Sequence, residues 1–141
     1  MKIKKILVGF DGSRSSYKAL QAALDLAHPI QALVDTLTVI HLPDFSPSMD
    51  EVEESIEEGK KRYDIEFKKI EQIGKEHGLR INTMIQIGHP AESLIRYTVE
   101  HQYDLLVVGT RGLGGFKKML IGSVAQKVVT YSSIPVLVLR E

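Results

Sequence analysis

The sequence predicts an α/β protein, a doubly wound sandwich in which helices cover both faces of a parallel β-sheet. Two observations support this fold class. Five short apolar runs alternate with four helical segments along the chain, and the links between them are brief. Alternation of this kind favours parallel strands joined by right-handed crossovers. The 141 residues match the usual size of one domain, so we expect residues 1–141 to form a single unit.

The five strands are predicted from runs of β-branched and aliphatic residues, which are typical of strands buried on both faces. In chain order, the runs are KKILVGFD, DTLTVIHL, GLRINTMIQIG, YDLLVVG and IPVLVLR. The last run is apolar at every position from 136 to 139. We therefore expect both faces of this strand to be covered.

Helical spacing and capping residues predict the helices. The first helix starts after Ser13, a suitable N-cap, and it repeats apolar residues on one face at Leu20, Ala23, Leu24 and Ala27. The third and fourth helices, HPAESLIRYTVEHQ and SVAQKVVTYS, follow the third and fourth strands.

The second helix is predicted as one long polar helix over about residues 48–77. Six acidic residues lie within 50–58, at the end where the helix dipole favours negative charge, and Glu57 has Lys61 one turn further on. Gly59 marks a point at which the first turns could separate. We interpret this segment as a solvated surface, and a docking surface for a partner is the alternative.

Composition excludes several classes of function. The formal net charge is zero, which argues against strong nonspecific attraction to nucleic acid or to an anionic membrane. The chain has no cysteine, so disulfides, thiolate chemistry and cysteine-ligated metals are excluded. No apolar run approaches the roughly 18 residues that cross a bilayer. We therefore expect a cytoplasmic protein with neither nucleic acid nor membrane as a partner.

The segment GTRGLGGFKKMLIGS, residues 109–123, carries the most chemistry. In an open parallel sheet, ligands bind beyond the carboxyl ends of the strands, and this segment follows the fourth strand. Its glycines permit close backbone approach and positive φ. The helix start at Ser123 offers an anion site, and Arg111, Lys117 and Lys118 add charge suited to phosphates. A flexible surface loop with solvated lysines is the alternative interpretation.

Other familiar sites do not fit the sequence. Neither G-x-x-x-x-G-K-[ST] nor a G-x-G-x-x-G after the first strand is present, which argues against a P-loop and a dinucleotide site. The G-x-S-x-G of a serine hydrolase is also absent. The five histidines lack a metal-ligand spacing, although His41 ends the second strand near the predicted pocket and is a candidate ligand contact.

The spacing Gly109-x-x-Gly112, nine residues, then Gly122-Ser123 resembles the G-x2-G-x9-G-[ST] motif of the universal stress protein family. The stretches VGFDGS, GHPAESL, DLLVVGTRGLGG and SSIPVLVLR are similar to that family as well. The resemblance extends over the whole chain, with little signal in residues 44–75.

This resemblance implies a five-stranded sheet of order 3-2-1-4-5 that binds ATP, often together with Mg²⁺ or Mn²⁺. By position, Asp11 would approach the ribose, and the backbone at Leu42 would contact adenine. Four residues would surround the ribose and the first phosphates: Gly109, Thr110, Arg111 and Gly112. Three would hold the outer phosphates: Gly122, Ser123 and Val124. The ligands of the metal ion stay unassigned.

The favoured function is an ATP-binding regulatory protein of the stress response. A dimerisation module that works without nucleotide is the second hypothesis. A slow ATPase is the least favoured, because the phosphate loops contain no carboxylate and no glutamine before Gln126.

A homodimer is expected through the last strand. In the order 3-2-1-4-5 this apolar strand is an edge, and an apolar edge needs a cover or a pairing partner. Antiparallel pairing with the same strand of a second copy satisfies that need with twofold symmetry.

Overall fold

The computed structural model describes residues 1–41, 48–110 and 121–140. Five strands and five helices lie in these ranges. They are β1 (Lys5–Gly9), α1 (Arg14–Ile30), β2 (Leu33–His41), α2 (Met49–Arg62), α3 (Asp64–Glu76), β3 (Asn82–Gly88), α4 (Pro90–Glu100), β4 (Leu105–Gly109), α5 (Ser123–Tyr131) and β5 (Val136–Leu139). No helix in the described part is long and apolar enough to cross a membrane.

The strands form one parallel sheet in the order β3-β2-β1-β4-β5, which confirms the predicted fold class and strand order. The central strand β1 pairs on both sides, and Val8 lies beside Thr36 of β2 and Val107 of β4. The chain runs outward from β1 to β3, then returns to β4 on the other side. The carboxyl ends of β1 and β4 therefore border the crevice at which open α/β sheets bind ligands.

Alternation along the strands divides the core into two layers. On one face, Ile6 and Val8 of β1 pack with α1 and α3. On the other face, Leu7 of β1 packs with residues of α4 and α5. All three side chains have no exposed surface, and burying each contributes roughly 1.5–3 kcal/mol.

The predicted helix over residues 48–77 is wrong as a single element. The structure has two helices, α2 and α3, which are separated at Tyr63 rather than at Gly59. Both helices cover the same face of the sheet, the face of Ile6 and Val8. Gly59 of α2 lies directly against Ile40 of β2, and Ile70 of α3 is fully buried in the core. The interruption lets each helix make its own contact with the sheet.

The acidic turns of α2 are solvated, as we expected. All six acidic side chains in residues 50–58 are exposed. Ser48 and Glu51 form a reciprocal capping box that fixes the start of the helix. Glu57 pairs with Lys60 at 3.8 Å, in place of the pair with Lys61 that the spacing suggested.

A polar network, buried at its Tyr103–Asp35 bond, ties three strands together at the amino end of the sheet. The Tyr103 hydroxyl donates to Asp35 Oδ2 at 2.7 Å, and Asn82 Nδ2 donates to Asp35 Oδ1 at 3.1 Å. Lys5 Nζ lies 4.3 Å from the centroid of the Tyr103 ring and donates to the His101 carbonyl at 2.7 Å. Burial, followed by the hydrogen bond to Asp35, raises the pKa of Tyr103 above its ordinary value.

Replacing Tyr103 with phenylalanine should lower the free energy of unfolding by about 1–3 kcal/mol at pH 7, because the buried Asp35 loses a donor. The pH dependence of the free energy of unfolding should change as well. In the unfolded chain a tyrosine ionises near pH 10, whereas folded Tyr103 keeps its proton. Its contribution to stability is therefore present below about pH 10 and is lost as the pH rises further. The alkaline loss of stability should be smaller in Tyr103→Phe.

Urea unfolding at pH 7 and along a series of alkaline pH values measures both effects. Tyr131→Phe is the matched control, because Tyr131 is 72% exposed at the end of α5. Equal free energies of unfolding for the two variants at pH 7 would contradict the role of the Tyr103 hydroxyl.

Candidate functional site

A cleft of about 220 Å³ lies at the carboxyl end of the sheet, between β1 and β4. Residues of six elements and the loop after β1 form its wall: Gly9, Phe10, Asp11, Ser16, Leu37, Val39, Pro90, Leu94, Val108, Gly109 and Val124. Most of this wall is apolar, and the Asp11 carboxylate is its one ionisable group among the described residues. The cleft therefore suits a flat, apolar group that carries hydrogen-bonding atoms at one end.

Asp11 is held in a defined turn between β1 and α1. Gly12 adopts φ +84°, a left-handed conformation that side-chain-bearing residues avoid. This turn lets Asp11 Oδ1 accept a hydrogen bond from the Ser13 backbone N–H at 2.9 Å. The Ser13 side chain then caps α1 by accepting from the Ser16 N–H, which confirms the predicted N-cap. One carboxylate oxygen of Asp11 is thus used by the turn, and Oδ2 remains for a ligand.

Tyr63, between α2 and α3, contacts the same turn. Its hydroxyl donates to the Asp11 carbonyl at 3.4 Å, and its ring lies close to the backbone of Gly12. Burial, followed by the Asp11 carboxylate, raises the pKa of Tyr63. The sequence did not predict this contact, because Tyr63 lies 52 positions from Asp11 along the chain and no local pattern links the two residues.

The glycine of the motif at position 109 has a packing role that the sequence did not predict. A Cβ there would overlap the side chain of Ser15, so the first turn of α1 packs directly on the end of β4. Gly109 does not adopt positive φ, and Gly122 has φ −60° and ψ 157°. Neither glycine therefore uses the left-handed backbone that glycine permits. Close approach, rather than backbone strain, explains Gly109.

Backbone hydrogen bonds bring Gly122 next to β4. The Thr110 N–H donates to the Leu139 carbonyl at 2.9 Å, which extends the pairing of β4 with β5. The Gly122 N–H in turn donates to the Thr110 carbonyl at 2.6 Å. Thr110 is itself buried. The start of α5 is therefore fixed at the crevice beside the end of β4.

The first turn of α5 exposes backbone donors at this place. Its N-cap, Gly122, has no side chain to cap the helix, whereas α1 and α2 are capped by Ser13 and Ser48. The unpaired N–H groups and the positive end of the dipole form a site for an anion. Ser123 and Val124 lie in that turn, and Val124 reaches the cleft.

Three predicted site residues lie outside the described residues: Leu42, Arg111 and Gly112. Lys117 and Lys118 also fall outside them. The structure brings together the other six, with Asp11, Gly109 and Val124 in the cleft wall and Thr110, Gly122 and Ser123 at its edge.

A second cavity of about 360 Å³ adjoins the cleft and shares Pro90 and Val124 with it. Two histidines meet there. The rings of His41, at the end of β2, and His89, the N-cap of α4, have centroids 5.4 Å apart with planes at 73°. The expectation that His41 lies near the pocket is confirmed. Its pairing with His89 was missed, because only the fold brings these two residues together.

The comparisons with known proteins agree with this architecture. A family model described as the universal stress protein family matches residues 2–140. The universal stress protein YxiE of Bacillus subtilis is 35% identical, over 96% of this chain and 98% of the relative.

Solved structures share the fold. The universal stress protein UspA from Lactobacillus plantarum superposes with a TM-score of 0.81 at 23% identity, over 99% of each chain. A universal stress protein in complex with cAMP gives a TM-score of 0.74 at 26% identity, over 99% of this chain and 98% of that one. This chain belongs to the universal stress protein family.

Proposed function

We propose that this protein binds ATP in the cleft between β1 and β4 and acts as a nucleotide-dependent regulator. One observation carries the proposal. The Asp11 carboxylate and Val124, in the uncapped first turn of α5, line the same apolar cleft. Such a cleft can hold the base, the sugar and the phosphates of a nucleotide in that order. The complex of a related universal stress protein with cAMP supports an adenine nucleotide as the class of ligand.

Each part of the nucleotide has a suitable environment. Leu37, Val39 and Leu94 offer apolar surface to adenine, where the Leu42 backbone would add hydrogen bonds. The Asp11 carboxylate accepts hydrogen bonds from the ribose hydroxyls. The N–H groups of the first turn of α5, with the Ser123 hydroxyl, receive the phosphates. The G-x2-G-x9-G-[ST] spacing favours ATP over shorter nucleotides by resemblance to the family.

The residues present fit Mg²⁺ or Mn²⁺ only as an ion that accompanies the phosphates. No group of three or more His, Asp or Glu side chains in the described ranges can hold a metal ion. Magnesium in nucleotide sites takes much of its coordination from phosphate oxygens and water, so such a group is not required. We propose binding rather than turnover, because Asp11, the one carboxylate that the described residues place in the cleft wall, belongs to the ribose end.

We also propose that the protein is a homodimer through β5. All four residues of this edge strand are only partly buried. Val136 and Val138 pack toward α4 and α5, and Leu137 and Leu139 pack toward α1. A second copy that pairs with this edge would cover the remaining surface and satisfy its free backbone groups.

Asp11→Ala should weaken ATP binding roughly ten- to a hundredfold, the loss expected for one charge-assisted hydrogen bond. Binding of 2′,3′-dideoxy-ATP, which lacks the sugar hydroxyls, should change much less. Isothermal titration calorimetry on each protein with each nucleotide measures the two effects.

Asp11→Asn is the matched variant, because its amide oxygen can still accept the hydrogen bond from Ser13 and keep the turn. Comparing the ATP affinities of Asp11→Asn and Asp11→Ala separates the effect of losing the negative charge from the effect of disrupting the turn. Equal weakening of ATP and the dideoxy analogue would place Asp11 away from the ribose, and no binding of ATP by the wild type would refute the proposed function.

Val138→Pro should convert the dimer to a monomer. Pro135 and Leu139 accept hydrogen bonds from β4, so alternation directs the N–H of Val138 to the open edge. A proline at this position removes a donor of the proposed ladder and leaves the pairing of β4 with β5 intact. Multi-angle light scattering gives the mass of each protein.

Val138→Thr keeps the N–H and the branched shape, so it should remain a dimer. A monomer mass for the wild type at micromolar concentration would refute the dimer.

A further inference from the structure

We infer that Tyr63 is a positioning residue of the nucleotide site, which holds the Asp11–Gly12 turn so that the Asp11 carboxylate meets the sugar hydroxyls. This inference rests on the proposed nucleotide site. It makes the junction of α2 and α3 a part of sugar recognition, although no residue of this junction belongs to the described wall of the cleft.

The turn that carries Asp11 begins where the pairing of β1 with β2 ends. The Phe10 N–H still donates to the Leu37 carbonyl of β2, at 3.0 Å. One residue later, the Asp11 carbonyl accepts from the Tyr63 hydroxyl at 3.4 Å, and no other group in the described part of the chain donates to it. The position of this carbonyl therefore depends on a side chain that comes from outside the sheet.

The Tyr63 ring supports the turn together with the hydroxyl. A Cβ added at Gly12 would lie 3.7 Å from Tyr63 Cε1, an ordinary van der Waals distance, so the ring closes off one side of the turn. Burial first, and the Asp11 carboxylate next, raise the pKa of Tyr63. The hydroxyl consequently keeps its proton and remains a donor at neutral pH.

Two helices fix the position of Tyr63. Its N–H donates to the Gly59 carbonyl at 2.9 Å and ends α2, and its carbonyl accepts from the Phe67 N–H at 2.8 Å at the start of α3. The rings of Tyr63 and Phe67 stack, with centroids 5.8 Å apart and planes inclined at 19°. Gly59 in turn lies against Ile40 of β2. A side chain anchored in this way suits the task of holding a ligand-binding turn in place.

The position of the turn matters because hydrogen bonds to the sugar are short and directional. Asp11 Oδ1 is already used by the Ser13 N–H, so the turn itself has to aim Oδ2 at the ribose. The affinity for a nucleotide falls in proportion to the fraction of molecules in which the turn is displaced. The loss of one neutral hydrogen bond changes such a fraction by about two- to tenfold.

Tyr63→Phe removes the hydroxyl and keeps the ring and its stack with Phe67. It should weaken ATP binding about two- to tenfold. It should change the affinity for 2′,3′-dideoxy-ATP by less than about twofold, because the dideoxy sugar has no hydroxyl for Asp11 to bind. Isothermal titration calorimetry with both nucleotides measures this preference for the ribose hydroxyls.

A double-mutant cycle with Asp11→Ala distinguishes positioning from a general structural effect. In the Asp11→Ala background, Tyr63→Phe should no longer change the affinity for ATP, because the carboxylate that Tyr63 positions is absent. An effect of Tyr63 on the structure alone would instead add to the effect of Asp11→Ala.

The matched control is Tyr17→Phe, in the first turns of α1 directly after the turn. The Tyr17 hydroxyl is buried, and it has no hydrogen-bond partner within the described residues. Tyr17→Phe should therefore keep the full preference for ATP over the dideoxy analogue. Circular dichroism establishes that each variant is folded.

Amide hydrogen exchange gives a second readout, because coupling between two parts of a protein is reciprocal. In the wild type, ATP should slow exchange over residues 59–67 more than the dideoxy analogue does when both are saturating. In Tyr63→Phe this difference between the two nucleotides should be lost.

The outcomes separate the two proposals. If the wild type prefers ATP and Tyr63→Phe keeps that preference, or if Tyr63→Phe has the same effect with and without the Asp11 carboxylate, the inference is refuted and the proposed function stands. Equal protection of residues 59–67 by the two nucleotides would refute the inference in the same way. If the wild type does not bind ATP, both proposals are refuted.

Discussion

The reversal of strand order at β1 is the constraint on which the rest of the molecule depends. This strand is hydrogen-bonded on both sides, and its central side chains are completely buried on both faces. Each layer of helices therefore packs against β1. Because β2 and β4 lie on opposite sides of β1, the chain connections at the carboxyl end of the sheet diverge there and leave the crevice open. The cleft is thus a direct consequence of topology, and the loops contribute its polar groups.

The starts of the helices divide into two chemical types around this crevice. Ser13 and Ser48 cap α1 and α2 and satisfy backbone donors within the chain. Two of the helices that border the cavities, α4 and α5, begin with His89 and Gly122 and have no side-chain cap. Their first-turn N–H groups consequently stay available to an outside acceptor. This difference concentrates positive potential where the proposed phosphates would lie.

The fold could be predicted from sequence because its determinants are local. Apolar runs marked the five strands, and Ser13 marked the start of α1. The end of α2 at Tyr63 could not be predicted in the same way, since no glycine, proline or side-chain cap marks the start of α3 there.

The candidate site could be predicted only in part, because some of its contacts join residues that are distant in sequence. A motif placed Asp11, Gly109 and Ser123 in one region, and the fold brings them to one crevice. The reason for glycine at 109 was hidden, because its neighbour Ser15 is distant in sequence. The approach of His41 to His89 was hidden as well, because strand pairing creates it.

The close contact of Gly59 with the sheet has a consequence for how the chain folds. Glycine inside a helix costs about 1 kcal/mol relative to alanine, and α3 carries a second buried glycine, Gly74. At both sites a methyl group would collide, with Ile40 in one case and with the Leu79 carbonyl in the other. By giving up intrinsic helicity, α2 gains proximity to the sheet and α3 gains proximity to the link that leads into β3. They should therefore acquire their structure only as β2 and β3 assemble beneath them, and a peptide of residues 48–77 should be largely unstructured on its own.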